Sequence, residues 1–329
     1  MTDYKQKYSE LQELIENQIA NSFLNIEQPD NLYIPIRYFL EAKGKRLRPV
    51  LTLIATGVVG GEIMKALQAA VSLEFLHNFT LIHDDIMDKS PIRRGRPTVH
   101  TKWDESVAIL SGDLLLGIAF RKIIEDVPSD YYKEVLLTFT DAFVEVCEGQ
   151  GFDIDFENRT DVSFEQYLLM IEKKTAKLIE KAMLVGGYIG NATPNQIEAL
   201  KIIGQSLGIG FQLQDDLLDL TASVDKFGKE IGKDIREGKK TFLILQSKEL
   251  FKDDLSINLL NKFFANKGLQ DEEVFELINY MASYGVMAKA KEQINYYFKK
   301  AMTNLEKLPN NEYKDLLRYV IEKILQREY

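Results

Sequence analysis

The chain has 329 residues, 45% of them hydrophobic and 28% charged, so it can bury a sizeable core in one large domain or two average ones. Its net charge of −9 argues against a general binder of nucleic acid or anionic membrane, while leaving room for a local basic pocket for a small anion. A single cysteine, Cys147, rules out an internal disulfide framework; with no apolar signal core and no run near the ~18 apolar residues of a membrane span, a cytoplasmic protein without stable membrane insertion is expected.

Helical periodicity dominates, beginning with apolar residues at three- and four-residue spacing over residues 8–23. "AKGKRLRPV" then places Lys43, Lys45, Arg46 and Arg48 around Gly44, with Pro49 opening a helix. A Gly turn at a helix N-terminus is an anion site in form, although basic loop residues are usually solvated. The next periodic segment, 70–88, ends in "HDDIMD". Asp84 and Asp88 stand one helical turn apart on one face, where like charges repel unless a cation sits between them. His83 beside them reads as a structural histidine. A polar stretch over 89–102 carries Arg93, Arg94 and Arg96 in "PIRRGRPT".

Segments 106–127, 131–150 and 163–190 continue the helical pattern, the last with Lys174 and Thr175 in "EKKTAKL". Segment 195–220 holds a second acidic cluster, "FQLQDDLLDL", with Asp215, Asp216 and Asp219. Gln212, Asp216 and Asp219 make one polar stripe at i, i+4 and i+7 on a helix whose Leu213, Leu217, Leu218 and Leu220 place it deep in a bundle. Gly204 and Gly208 allow close packing just upstream. Lys229 and Lys239 lie in a second polar stretch, 221–240, and segments 274–308 and 311–329 close the chain. Strand patterns bounded by Asn-Gly or Asp-Gly turns are nearly absent, as are linkers and fixed-period repeats. The reading is a single all-α domain over residues 1–329.

One acidic cluster could be an exposed helix face; two in one chain are hard to explain that way. Buried carboxylates without counter-charge are very costly, so six of them demand cations. With no His or Cys cluster, the ion is a hard, oxygen-seeking one, and Mg²⁺ usually keeps its waters and shares a phosphate-bearing substrate. Basic residues flanking both clusters would hold the phosphates, Arg as a fork and Lys as a point charge. Lys174 and Lys239 read equally well as surface lysines.

Two DDxxD motifs, an upstream GKRLRP and an Arg pair after the first motif make the sequence, from about Tyr33 onward, similar to the trans-type isoprenyl diphosphate synthases. That group includes the farnesyl and geranylgeranyl diphosphate synthases. The resemblance implies an all-α helical bundle around a central active-site cavity, with the motifs on facing helices, a homodimer and Mg²⁺ as cofactor. It implies that Asp84 and Asp88, with Asp85, hold Mg²⁺ on the allylic diphosphate. Asp215 would be the main ligand of the second motif, with Asp216 and Asp219 supporting it through water. Lys45, Arg48, His77 and Arg94 would bind isopentenyl diphosphate. Arg93, Lys174, Thr175, Gln212, Lys229 and Lys239 would contact the allylic substrate, with Thr175 and Gln212 offering oxygen dipoles to a carbocation. Gln150 and Asp153 would lie near the reacting carbons.

The activity implied is 1′-4 head-to-tail chain elongation, in which the allylic diphosphate ionises and the released diphosphate takes the final proton. Water exclusion matters for such a cation, and the polar stretches after each Asp cluster and the tail "LQREY" are candidate lids. Phe79 and Thr80, five and four positions before the first motif, would form the floor that stops chain growth. An aromatic followed by a small residue resembles the geranylgeranyl synthases most; Phe79 reads equally as a plain core residue. The alternatives are a farnesyl or longer polyprenyl synthase, a class I terpene cyclase and a non-catalytic regulatory subunit. The second DDxxD and GKRLRP favour elongation over cyclisation, and a regulatory subunit would tend to lose an acidic motif.

Overall fold

A computed structural model describes residues 3–24, 28–42, 44–126, 131–221 and 231–325. These residues are helical almost throughout, as periodicity implied, and all-α is the fold class. The chain divides into two compact units: Met1–Phe143, Lys181–Lys201 and Lys307–Leu317 in one, and Val144–Glu180, Ile202–Glu306 and Arg318–Tyr329 in the other.

In the first unit, helix α1 (Tyr4–Asn21) starts at Asp3, whose carboxylate accepts the Lys5 and Gln6 N–H groups, and buries the stripe Tyr8, Leu11, Ile15 and Ile19. Helix α2 (Asp30–Glu41) contains Pro35, which interrupts the periodic signal there. Helix α3 (Leu47–Val58) begins two residues before Pro49 and is buried along nearly its whole length. Helix α4 (Leu67–Met87) is apolar or small on most sides, so it must be enclosed; it packs against α1, α3 and α6 (Glu105–Asp126). The polar stretch after α4 is not plain loop. It forms a minimal hairpin, β1 (Ile92–Arg93) antiparallel to β2 (Arg96–Pro97), then the single turn α5 (Val99–Lys102). Arg94 and Gly95 turn the hairpin with φ of 51° and 73°, the double left-handed pair of a two-residue hairpin turn.

Of the elements that bear on the second unit, helix α7 (Tyr132–Glu157) is followed by α8 (Phe164–Ile171), opened by a capping box between Ser163 and Gln166. A π turn, Glu172–Ala176, separates α8 from α9 (Lys177–Ile189), so segment 163–190 is not one continuous α-helix. Helix α10 (Pro194–Thr221) lies against that turn: a Cβ at Gly208 would stand 2.3 Å from Ala176 Cα and one at Gly204 2.6 Å from Glu180 Cα. Five further helices follow: α11 (Lys233–Arg236), α12 (Phe242–Leu250), α13 (Asp254–Asn266), α14 (Asp271–Ser283) and α15 (Val286–Leu305). Segment 274–308, periodic throughout, is broken by Gly285, whose φ of 74° no α-helix accommodates. Helix α16 (Glu312–Leu325) ends the described chain. Tyr167, Leu213, Leu217, Phe242, Phe263 and Met281 belong to the core of this unit.

Candidate active site

The first acidic motif occupies the C-terminal turn of α4. Asp85 is buried, Asp84 half-buried, and Asp88 is the exposed residue that ends the helix. Asp85 is one position round from Asp84, which turns it toward the hairpin, and Arg93 Nε donates to its Oδ1 at 2.7 Å. Burial raises the Asp85 pKa despite that guanidinium, and among the described residues Asp85 Oδ2 is buried without a hydrogen-bond partner. Next along the hairpin, Arg94 reaches the Ala42 carbonyl at 2.8 Å, and its guanidinium lies on Gly44, where a Cβ would meet Nη2 at 3.0 Å.

The "GKRLRP" loop sends its basic residues to different fates. Arg46, itself in the left-handed region (φ 45°), is buried against Glu16 and Glu74, 2.8 Å from each, and donates to the Leu40 carbonyl at 2.7 Å. It is an anchor. Lys45 is exposed, and its carbonyl accepts Tyr8 OH and Gln12 Nε2 from α1. Arg48 Nη1 stands 3.0 Å from His77 Nε2. Burial first, then the charges of Arg48, Arg94 and Arg93, hold His77 well below the usual histidine pKa, so the imidazole is neutral and its Nε2 accepts from Arg48. Burial also brings Arg48 down to about 10, which leaves it charged at neutral pH.

Phe79 is buried with its ring 4.7 Å from His83 and 5.8 Å from Phe143, and Thr80 Oγ1 donates to the His77 carbonyl at 2.8 Å. His83 lies over Gly112 and approaches the Ile109 carbonyl at 3.1 Å, a packing role.

In the second unit a cavity of about 130 Å³ is lined by Asp153, Lys174, Thr175, Gln212, Asp216 and Lys239, among others. The π turn presents Lys174 and Thr175 to it. Such single-turn π insertions often sit at functional sites. Lys174 Nζ is 2.5 Å from Asp153 Oδ2, and Thr175 Oγ1 donates to Gln212 Oε1 at 3.0 Å. Gln212 Nε2 passes the chain on to Asp216 Oδ1 at 3.0 Å, and the Tyr167 hydroxyl closes on Asp216 Oδ2 at 2.5 Å. Burial, with the nearby Asp234 carboxylate, pushes Asp216 up to about 7, and burial with the Asp216 charge pushes Tyr167 well above 10. Asp219, one turn further, accepts the Asp234 N–H at 3.1 Å. Asp215 is half-buried. Against the burial that would lower it, the Asp234 and Glu237 carboxylates keep Lys239 above the usual lysine pKa. Gln150 is buried with Oε1 unpartnered among the described residues. Lys43, Lys229, part of the second polar stretch and most of the tail "LQREY" lie outside the described residues.

The donors fit a Mg²⁺ ion that brings its own waters. They are carboxylates only, the choice of a hard cation. Among the described residues no three His, Cys, Asp or Glu side chains gather into a cage, so water and phosphate oxygens would complete the coordination. Tyr167 carried no functional signal in the sequence: it is one polar oxygen on the otherwise apolar stripe of α8. Nothing local distinguishes Arg46 from the other bases of its loop or marks it for burial.

The polyprenyl synthetase family model matches residues 29–281. The chain is 37% identical over 328 residues to a short chain isoprenyl diphosphate synthase from Methanothermobacter thermautotrophicus, covering 99% of this chain and 98% of the relative. It is 37% identical over 311 residues to a geranylgeranyl diphosphate synthase from Methanosarcina mazei, covering 94% of each. The crystal structure of a geranylgeranyl pyrophosphate synthetase from Pyrococcus horikoshii is similar at a TM-score of 0.93, with 37% identity, covering 99% of this chain and all of that one. With the family model spanning most of the chain and these relatives nearly all of it, this protein belongs to the polyprenyl synthetase family, the trans-isoprenyl diphosphate synthases.

Proposed function

We propose that the chain, as one synthase domain, joins isopentenyl diphosphate to an allylic diphosphate in 1′-4 head-to-tail elongation and releases geranylgeranyl diphosphate. The observation that carries this reading is the Arg48–His77 pair with Arg94 laid on Gly44. It is a cationic diphosphate cradle whose members are distinct from the carboxylates that would hold metal. Asp84, Asp88, Asp215 and Asp219 would hold Mg²⁺, while Asp85 and Asp216, already engaged by Arg93 and Tyr167, act through hydrogen bonds. When bound, Mg²⁺ supplies charge neutralisation for the departing diphosphate.

Arg93, Lys174 and Lys239, with Lys229, add fixed positive charge where negative charge develops on the leaving group. The allylic C–O bond breaks and leaves a carbocation at C1. Thr175 and Gln212 turn oxygen dipoles toward it, with Gln150 and Asp153 nearby. Lys45, Arg48, His77 and Arg94 hold isopentenyl diphosphate so that its double bond attacks that carbon, and the released diphosphate accepts the proton lost as the new double bond forms. Phe79, with Thr80, closes the floor against further growth. Ile109, Leu110 and Leu137 are large apolar side chains left exposed, which supports a homodimer that would cover them. No helix among the described residues is long and apolar enough to cross a membrane.

Incubation of the purified protein with Mg²⁺, isopentenyl diphosphate and dimethylallyl or farnesyl diphosphate tests the reading. Geranylgeranyl diphosphate is the expected product. A farnesyl or much longer product would keep the elongation and discard the floor at Phe79. No elongation with any primer would revive the regulatory subunit.

A further inference from the structure

The π turn carries an ion pair that an unbroken α-helix would not allow. The backbone N–H of Lys177 donates to the carbonyl of Glu172, five residues back, and the Lys177 ammonium stands 3.3 Å from the carboxylate of the same Glu172. In an α-helix of 3.6 residues per turn, positions five apart are about 140° apart around the axis and their side chains diverge. Closing the ring on i→i+5 returns them to one face. Gln205 of α10 donates from Nε2 to the same Glu172 oxygen, Oε1, at 2.8 Å. Lys177 also stands 3.0 Å from Glu180, which is almost wholly buried, and 3.9 Å from Glu145 of α7. The turn is seated between glycines: a Cβ at Gly149 would fall 2.2 Å from the Lys174 backbone nitrogen, as one at Gly208 would collide with Ala176.

We infer that Lys177, through its ion pair with Glu172, is a positioning residue that selects the π register and thereby aims Lys174 at Asp153 and Thr175 at Gln212. In an unbroken α-helix the residues before Lys177 would be displaced by one position relative to α9, about 100° around the axis, and the two side chains would leave the cavity. Lys177 itself touches neither Asp153 nor Gln212; its effect is on the backbone that carries their partners. The inference rests on the reading of Lys174 and Thr175 as contacts to the allylic diphosphate.

Three variants test it. Glu172→Gln removes the charge yet keeps an acceptor for Gln205, Lys177→Met removes the ammonium, and Lys177→Arg retains a cation. With Glu172→Gln and Lys177→Met, KM for the allylic diphosphate is expected to rise on the order of tenfold while KM for isopentenyl diphosphate stays within about twofold. Lys177→Arg should stay near the native value. The crystal structure of the Glu172→Gln protein should show the Lys177 N–H on the Lys173 carbonyl, the α-helical partner. A π turn left intact, or two KM values that rise together, would overturn the inference. Should Lys177→Met fail to fold because Glu180 is stranded, Glu172→Gln decides alone. If the native protein elongates nothing, the proposed function falls by itself, and the Glu172→Gln structure still decides the register.

Discussion

The Tyr167 hydroxyl donates to Asp216 Oδ2 at 2.5 Å, and this contact ends a chain of hydrogen bonds running from Thr175 through Gln212 to Asp216. The second aspartate of the motif is thereby spent on holding Gln212. Tyr167→Phe is expected to lower stability by about 1–3 kcal/mol, the cost of leaving a buried oxygen of Asp216 without its hydroxyl donor. It should also weaken turnover through the loosened Gln212. Urea unfolding and initial rates check both, and an unchanged midpoint would deny the contact its weight.

His77 gives a pH dependence with a definite sign. Its folded pKa is depressed, first by burial and then by Arg48, whereas the unfolded chain protonates near 6.5. Below about pH 6.5 the unfolded state therefore binds a proton that the folded state refuses; the stability contribution is full above that value and lost as pH falls. His77→Asn, which keeps an acceptor for Arg48, should show a shallower fall in Tm between about pH 7 and pH 5. Equal slopes would mean that His77 is not held neutral.

Gly44 is small because the Arg94 guanidinium lies on it at what would be 3.0 Å from a Cβ. Gly44→Ala should leave Tm nearly unchanged, since the displaced group is the far end of a long side chain. KM for isopentenyl diphosphate should rise by about tenfold. A rise in KM for the allylic substrate instead would reassign Arg94.

Phe79 is packed on Phe143 and His83. Phe79→Ala should cost about 3–5 kcal/mol as a core truncation and also lengthen the product beyond geranylgeranyl diphosphate. Product analysis by chain length separates the two roles: lost stability with an unchanged product would leave Phe79 a core residue only.

Asp88 and Asp85 should respond differently to neutralisation. Asp88→Asn is expected to raise the Mg²⁺ concentration needed for half-maximal rate by about 10–100-fold. Asp85→Asn should mainly lower kcat, because the amide keeps an acceptor for Arg93 Nε but loses the negative charge that holds the guanidinium at 2.7 Å. Mg²⁺ titrations of the two variants make the comparison, and identical shifts would return Asp85 to the ligands.

Helix periodicity is a local property, and it located most of the helices, including α4 and α10 with their acidic ends. It failed where the decisive feature was a backbone angle or a register change: the Arg94–Gly95 hairpin turn, the break at Gly285 and the π turn at Glu172–Ala176. The π turn depends on contacts made elsewhere in the chain, such as Gly149 against the Lys174 backbone.

The sequence by itself determined the all-α class, the two carboxylate motifs, the basic residues around them and, through their combination, the family. Residue type and spacing along one helix suffice for that. Only the tertiary structure decided which member of each trio is buried against a partner inside the protein. Adjacent helix positions differ by about 100° in direction, and which direction is buried depends on what packs there. For Asp85 it is Arg93 across a hairpin, and for Asp216 it is Tyr167, 49 residues away in sequence. The same dependence sends Arg46 into the core and leaves Lys45 in water. A buried charge must find its partner wherever the fold brings one, and nothing in the local sequence says where that will be.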